Sequence, residues 1–179
     1  MKRSDWVHDG EYRGKRKKLF TPKGKPSLAA ECLRDGTIDV DLSTGEVYST
    51  AKGGVRRPMK LRTDPDGYLG FHLNREKKRR VGKPERDRHR VRFRRRQYVQ
   101  VHRLAYMKKV AILWSDFHGG HWRDHVQDLP RGVDVDHKDL NRSNNTIANL
   151  RLKTEAANRS RREMTAEEAA TVADFEPAF

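Results

Sequence analysis

Alternating apolar and polar residues predict a front half built mainly of β-strands. After Thr37 the run I-D-V-D-L alternates strictly, and S-T-G-E-V-Y-S continues it across a glycine, a pattern typical of strand, turn and strand. Further on, M-K-L-R-T is followed by D-P-D-G and then by Y-L-G-F-H-L. Because Asp-Gly between alternating runs favours a hairpin connection, a second strand pair is expected there.

The pattern changes to a helical period after residue 97. The run Q-Y-V-Q-V-H-R-L-A-Y-M-K-K-V-A-I-L-W begins as a strand and passes into a helix. Its expected core residues are Leu104, Met107, Ile112 and Trp114. For His102 the favoured interpretation is a buried, hydrogen-bonded imidazole near the core, since no motif residue lies near it in sequence.

Two further strands are predicted in the last third of the chain. G-V-D-V-D-H, which ends at His137, alternates as a short strand, and N-L-R-L-K at 149–153 gives a second. The polar loop K-D-L-N-R-S-N-N joins them. Within this loop Asn144 and Asn145 are interpreted as turn residues, and Asp139 as a local hydrogen-bond acceptor.

Capping residues mark two helix starts after these strands. Thr154 is expected to cap a helix that runs through Arg162. Thr165 is followed three residues later by Glu168, which is the capping-box signature of a short helix. This last helix is expected to pack or dock against the rest of the chain.

Composition narrows the class of partner. The 179 residues suffice for one modest core and one catalytic unit, and 40 Lys and Arg against 25 Asp and Glu give a net charge of +15. A surface of this charge attracts polyanions, so nucleic acid is the leading partner. A membrane surface is disfavoured, because Gly, Pro and acidic residues interrupt the basic runs.

The cysteine content of the sequence is also compatible with a reducing cytosol. Cys32 is the single cysteine, which excludes an internal disulfide and a Cys-based zinc finger. No run approaches the roughly 18 apolar residues of a membrane span, and M-K-R-S-D-W-V-H-D-G lacks the apolar core of a secretory signal. We therefore expect a cytoplasmic protein, in a bacterium or a phage-infected host cell.

Most of the excess charge lies in one segment. Residues 75–96 hold thirteen Lys or Arg against three acidic residues. Either this is a solvated loop that aids solubility, or it contacts phosphates; the concentration of like charge favours phosphate contact along DNA. Residues 1–26, with R-G-K-R-K-K and little apolar content, are expected to form a disordered basic arm.

A cluster of histidines is the weaker of two candidate metal sites. F-H-G-G-H-W-R-D-H contains His118, His121 and His125 at a spacing that suggests zinc. Neither a Cys pair nor a clear fourth ligand accompanies them, so chance clustering in a loop is the favoured interpretation. The stronger candidate is the segment from Val133 to Asn158, where an acid, an imidazole and several amides come together.

This strand, loop, strand, helix segment resembles the ββα-metal module of the HNH nuclease family. His137, Asn149 and Asn158 match the three signature positions, with spacings of twelve and nine residues. The chain looks most like the phage and intron-encoded HNH homing endonucleases, in which an Asp precedes the first His and an Asn takes the final position; Asp136 and Asn158 match that variant. The resemblance covers about residues 98–160. A smaller one, to the DNA-contacting module of such enzymes, involves D-L-S-T-G-E-V-Y-S and D-G-Y-L-G-F-H-L.

The resemblance and the side-chain chemistry together assign roles. His137 is the expected general base, because imidazole titrates near neutrality. Asp136 and Asn158 offer hard oxygens for one Mg²⁺ or Mn²⁺ per site, and Asn149 is expected to clamp the loop without touching the metal. Neighbours on a regular strand point to opposite faces, so Asp136 and His137 can share a site only where the strand ends or bulges.

The predicted product of this site is a nick. One metal site in a monomer implies one strand cut in double-stranded DNA per binding event, although two molecules on opposite strands would make a double break. Two alternatives stay open: a non-catalytic basic DNA-binding or RNA-binding protein, and a ribosome-associated or RNA-packaging protein. The expected phosphate contacts, of low specificity, are Arg79, Arg80, Arg94, Arg95, Arg96, Arg151, Arg159, Arg161 and Arg162.

The sequence therefore predicts an α+β fold in which a ββα-metal nuclease core follows a small β-rich module and a disordered basic arm. The expected units are the arm at 1–26, the β-rich DNA-contacting module at 37–97, the HNH core at 98–163 and the C-terminal short helix or tail at 164–179.

Overall fold

The computed structural model describes residues 26–50, 54–78 and 92–173, with the backbone alone for 75–78 and 92–95. This described part is a mixed α+β structure of three small antiparallel sheets and four α-helices. Residues 1–25 of the predicted arm and the middle of the predicted basic segment, residues 79–91, lie outside it. The strands are β1 (Ile38–Val40), β2 (Val47–Thr50), β3 (Arg56–Pro58), β4 (Arg62–Thr63), β5 (Leu69–Lys78), β6 (Arg92–Gln100), β7 (Val133–His137) and β8 (Leu150–Thr154), and the helices are α1 (Leu28–Arg34), α2 (Val101–His118), α3 (Glu155–Arg159) and α4 (Ala166–Ala173).

The first sheet has the order β1-β2-β3 and contains the first predicted hairpin. Ile38 pairs with Ser49 and Val40 with Val47, which confirms that hairpin. Its turn closes through a hydrogen bond from the Gly45 amide to the Asp41 carbonyl, 2.8 Å long. Strand β3 was not predicted, because its three exposed residues R-R-P show no alternation.

The second sheet has the order β4-β5-β6 and contains the second predicted hairpin, which is confirmed. In its D-P-D-G turn the Asp64 amide donates to the Tyr68 carbonyl at 2.9 Å. The ends of the basic segment belong to β5 and β6, which pair from Gly70 opposite Gln100 to Lys78 opposite Arg92.

Helix α2 follows β6 without a break and forms the centre of the core. Leu104, Met107 and Trp114 are buried as predicted. Ile112 is only partly buried, so that prediction was wrong. The residue lies beside, and not within, the stripe that buries Val110, Ala111 and Trp114.

Helix α1 was missed because seven residues give too short a run for a helical period. Its N-terminus is capped by Ser27, whose Oγ accepts a hydrogen bond from the Ala30 amide at 3.1 Å. Leu28 and Leu33 are almost completely buried, so α1 closes one side of the core formed by α2.

Strands β7 and β8 pair as predicted, from Val133 opposite Thr154 to His137 opposite Leu150. Thr154 caps α3 as predicted, since its Oγ1 accepts from the Ala157 amide at 3.2 Å. The helix ends at Arg159, however, three residues before the predicted end. The Ser160 hydroxyl bonds back to a carbonyl of the last turn, and Arg161 has a φ of 52°, which ends the helical backbone.

The C-terminal capping box is confirmed. The Thr165 amide donates to Glu168 at 2.9 Å, and the Glu168 amide donates to the Thr165 hydroxyl at 3.3 Å. Helix α4 then buries Val172 in the core. Within the described ranges, no helix combines the length and the apolar character needed to cross a membrane.

Candidate active site

The β7-β8 ribbon has two chemically different faces. Val133, Val135 and His137 are buried on the face that packs against the core, whereas Asp134 and Asp136 lie half-buried on the other. This alternation follows directly from the sequence V-D-V-D-H. His137 is the last residue of β7, so Asp136 and His137 flank the ribbon where the strand ends.

His137 is enclosed by groups that are distant in sequence. Its side chain is 3% exposed, and its Nε2 lies 3.2 Å from Oδ1 of Asn145. The His102 ring at the start of α2 lies 5.2 Å away, centroid to centroid. The Tyr68 ring, from the D-P-D-G turn, lies 5.8 Å away. The second sheet and α2 therefore both help to form the pocket around this imidazole.

His102 is a buried, neutral imidazole in this pocket. Burial lowers its pKa to about 3, assisted by the neighbouring His137 and Arg103 and opposed by Asp64. Its Nδ1 is buried without a hydrogen-bond partner in the described structure. The prediction that His102 is buried is thus confirmed. The predicted hydrogen bond, however, is not made at Nδ1. The folded chain brings it to His137 from 35 residues away.

Asn149 bridges the two ends of the loop between the strands. Its Oδ1 accepts from the Asp139 amide at 3.0 Å, and its Nδ2 donates to the Asp139 carboxylate at 2.8 Å and to the Asn144 carbonyl at 2.9 Å. Hydrogen bonds, first that from Asn144, hold the pKa of Asp139 below its usual value although burial opposes them.

Asn145 was interpreted as a turn residue, but the structure buries it to 2% exposure against His137. The polar loop folds inward at this position, and nothing in the N-N dipeptide distinguishes the outward Asn144 from the inward Asn145. Asn145 is buried because the β1-β2 hairpin, called the front hairpin below, covers the loop. The Ile147 amide donates to the Leu42 carbonyl of this hairpin at 2.8 Å.

On the opposite face of the ribbon, acidic side chains meet basic ones. Asp136 Oδ2 lies 3.0 Å from Arg151 and 3.3 Å from Lys153. Asp134 accepts hydrogen bonds from Arg103 at 3.2 Å and from Asn158 Nδ2 at 3.4 Å. Asn158 therefore lies on the same side of the ribbon as Asp136.

The donor atoms on this face fit a hard divalent cation. Neither Oδ1 of Asp136 nor Oδ1 of Asn158 has a described hydrogen-bond partner, and a carboxylate with an amide oxygen is chemistry that Mg²⁺ accepts. No group of three or more His, Cys, Asp or Glu in the described ranges is arranged to hold a metal. A cation here would take its remaining ligands from water and phosphate, and it would lie near Arg151 and Lys153, which both contact Oδ2 of Asp136.

The candidate residues lie in a segment that matches a known protein family. Residues 117–160 match the model of the HNH endonuclease family. We call residues 117–160 the HNH segment. The HNH segment thus contains His137, Asn149 and Asn158, together with the whole β7-β8 ribbon.

One solved structure is also similar to the chain. It is the structure of the HNH homing endonuclease I-HmuI, a protein that binds and cleaves DNA, and it shares 28% identity with a TM-score of 0.38. The alignment covers 78% of this chain and 61% of I-HmuI, so the chain spans less than two thirds of that protein. No curated protein sequence matches the chain.

The arginines of the HNH segment and its flanks differ in their availability for phosphate. Arg151 is occupied by Asp136 and Glu163, Arg159 by Glu155, and Arg162 by Glu168. The Arg162 contact lowers the pKa of Glu168 to about 2. Arg161 is exposed, with no described ion pair, and so is Arg96.

The other arginines predicted to contact phosphate lie partly or wholly outside the described structure. Arg79 and Arg80 lie outside the described residues, and of Arg94 and Arg95 only the backbone is described. Arg142, which was not among the predicted phosphate contacts, stacks over the Tyr68 ring at 4.8 Å and donates to the Asp66 carbonyl.

The histidine cluster makes local contacts. His125 Nε2 bonds to the Gly119 carbonyl at 2.8 Å, and the His118 ring stacks on Trp114.

Proposed function

We propose that this chain is a DNA endonuclease of the homing-endonuclease kind that hydrolyses phosphodiester bonds with one divalent metal, Mg²⁺ or Mn²⁺. The observation that carries the proposal is the family match over residues 117–160, which contains a buried imidazole at the end of a ribbon with acids on its other face. A net charge of +15 supports double-stranded DNA as the partner.

In this proposal His137 is the general base. Its imidazole is held by one hydrogen bond and by the packing of two rings, so it is oriented before substrate arrives. It accepts a proton from the water that attacks the phosphorus atom. General bases positioned in this way typically contribute about 100- to 10,000-fold to a rate.

Asp136 and Asn158 would hold the metal. When bound, the cation neutralises the phosphate and stabilises the leaving 3′ oxygen. Arg151 and Lys153 balance the charge of Asp136 from the other side and hold its carboxylate in place. Asp136 and His137 lie on opposite faces of the ribbon, at the end of β7. A phosphate bound at that end could therefore contact the metal on one side and the water activated by His137 on the other.

Asn149 would keep the loop in register, so that His137 and the incoming phosphate hold one geometry. Arg161 and Arg96 are the candidate phosphate contacts whose guanidinium groups have no described ion pair. As the chain is expected to act as a monomer with one site, the expected product is a nick. The alternative is a non-catalytic protein that binds DNA or RNA through its basic surface.

The test compares wild type with His137→Ala on supercoiled plasmid in Mg²⁺, with binding measured separately by gel shift. Wild type should convert supercoiled plasmid to the nicked circle, and chelation by EDTA should stop the reaction. His137→Ala should bind equally and cleave at least about 100-fold more slowly. The matched control is His121→Ala, an exposed histidine in the loop after α2, which should cleave as wild type does.

Three outcomes would reject parts of this proposal. Equal cleavage by wild type and His137→Ala removes the role of His137. Binding without any cleavage in Mg²⁺ or Mn²⁺ favours the non-catalytic alternative. Direct linearisation without a nicked intermediate rejects the single-strand product.

A further inference from the structure

The buried amide of Asn145 has only one consistent orientation. Its Nδ2 lies 3.2 Å from the Ser143 carbonyl oxygen, and its Oδ1 lies 3.2 Å from Nε2 of His137. A carbonyl can only accept a hydrogen bond, so Nδ2 must face Ser143. Reversing the amide would bring two oxygens together in a site that is only 2% exposed. The oxygen of Asn145 therefore faces His137.

This orientation determines which nitrogen of His137 carries the proton. An amide oxygen is an acceptor, so Nε2 must donate to it. A neutral imidazole has a single N–H, which leaves Nδ1 with its lone pair. Among the described residues, Nδ1 of His137 has no hydrogen-bond partner.

We propose that Asn145 is a positioning residue, which fixes His137 in the tautomer protonated at Nε2 and so makes Nδ1 the atom that receives the proton of the attacking water. The assignment of the tautomer stands on the contacts alone. Only the role of Nδ1 in catalysis rests on the proposed nuclease function.

The front hairpin holds Asn145 in this position. A Cβ placed on Gly45, in the β1-β2 turn, would lie 2.8 Å from Cβ and 2.9 Å from the carbonyl carbon of Asn145, so only glycine allows this approach. On the other side, Asn149 binds the Asn144 carbonyl and thereby fixes the peptide that leads into Asn145. Asn149 thus affects the position of His137 indirectly, by fixing the backbone next to Asn145.

The first measurement needs no variant. Long-range ¹H–¹⁵N correlation spectra of the full chain, with ¹⁵N-labelled histidine and without DNA or divalent metal, report the tautomer of each neutral imidazole. The His137 signals are assigned by their loss in His137→Gln. The expected pattern is a protonated Nε2 and a non-protonated Nδ1. A His137 protonated at Nδ1 overturns the proposal.

Two substitutions then separate the oxygen of Asn145 from its other contacts. Asn145→Leu removes the acceptor, and should give His137 a mixture of tautomers. Asn145→Asp keeps an acceptor for Nε2 but loses the donor to Ser143, and should retain the Nε2-protonated pattern. If Asn145 served only to hold the loop through Ser143, both variants would change the spectrum alike, which would overturn the proposal.

Kinetics give the matching prediction on plasmid DNA. Asn145→Leu should lower kcat by about 10- to 100-fold, less than loss of the base itself. KM should stay within about threefold, because no contact to DNA is removed. An Asn145→Leu variant that folds and cleaves at the wild-type rate overturns the role of Nδ1.

The support from the front hairpin is tested with a matched pair of glycines. Gly45 and Gly54 have φ values of 77° and 79°, but nothing lies within 4 Å of a Cβ at Gly54. Both alanine substitutions therefore strain the backbone similarly, whereas only Gly45→Ala displaces Asn145. Gly45→Ala should shift the His137 signals toward the Asn145→Leu pattern, and Gly54→Ala should not. Unchanged His137 signals in a folded Gly45→Ala protein would reject this support.

Failure of this proposal can be told from failure of the nuclease function. The expected tautomer in a protein that never cleaves DNA would reject the nuclease and the catalytic role of Nδ1 together, but leave the positioning by Asn145. The opposite tautomer in a protein that does nick DNA would reject the positioning and the role of Nδ1, but leave the nuclease function.

Discussion

At the scale of single residues, His102 shows how burial creates a property that its sequence neighbours do not reveal. Its imidazole has a pKa of about 3 in the folded chain, against an ordinary value of 6.5, because burial disfavours the charged form. The unfolded chain therefore binds a proton in a pH range where the folded chain does not. Protonation of the unfolded chain therefore does not reduce stability above pH 6.5. As the pH falls below that value, the unfolded chain gains a proton that the folded chain does not bind, and the free energy of unfolding decreases.

We expect His102→Gln to flatten the acid limb of the stability profile. As the pH falls from about 6 to about 4, His102 should lower the free energy of unfolding of wild type by up to about 1.4 kcal/mol per pH unit. Urea unfolding of wild type and His102→Gln at several pH values measures the difference, with the exposed His121→Gln as the control that should keep the wild-type slope. Parallel profiles for wild type and His102→Gln would contradict the burial argument.

The local part of the site could be predicted from the sequence, and the distant part could not. Asp136, His137, Asn149 and Asn158 lie within 23 residues, so a resemblance confined to one short segment was enough to mark them as one candidate site. The surrounding groups, His102 and Tyr68, arrive through the packing of α2 and of a turn in the second sheet. Asn145 was local, yet whether an asparagine in a polar loop points inward depends on what covers the loop.

At the scale of elements, the loop between β7 and β8 stores strain at its tip. Leu140 has a φ of 62°, in the left-handed region, and is 80% exposed. A left-handed backbone costs an L-residue roughly 1–2 kcal/mol, and asparagine tolerates it best after glycine. Since the side chain is exposed, little packing is lost when it is replaced.

We expect Leu140→Asn to raise the free energy of unfolding by about 0.5–1 kcal/mol, because it relieves this strain. Leu140→Ala is the control, since it removes the same exposed side chain but keeps a Cβ with a penalty at positive φ, and it should give no such gain. Chemical denaturation of the three proteins measures the effect. Equal gains from Asn and Ala would show that the exposed leucine, and not its backbone, was unfavourable.

Elements were predictable where a period was long enough to be seen. Both front hairpins, the ribbon and the helix start at Thr154 follow from alternation and capping. Helix α1 and strand β3, with seven and three residues, carry too few positions for a period. The early end of α3 depends on the backbone of Arg161, for which arginine is no signal.

At the scale of the whole molecule, contacts cross the predicted boundary between the β-rich module and the HNH core. Lys108 of α2 binds both the Asp39 carboxylate and the Val40 carbonyl, each at 2.7 Å. The buried residues of α1, β1, α2 and the β7-β8 ribbon form one hydrophobic cluster. The boundary stays a prediction, and these contacts suggest that the two parts depend on each other for stability.

A truncation in the front sheet tests this dependence at the ribbon. Ile38 is 1% exposed, so Ile38→Ala leaves a cavity that should cost about 3 kcal/mol. If the chain unfolds as one unit, hydrogen exchange at the β8 amides should accelerate as much as exchange at the β2 amides, about 100-fold or more. Val55→Ala, at a side chain that is 55% exposed, is the control and should change neither. Faster exchange confined to the first sheet would instead show two independent units, and the contacts of Gly45 and Leu42 with the loop would then be too weak to couple them.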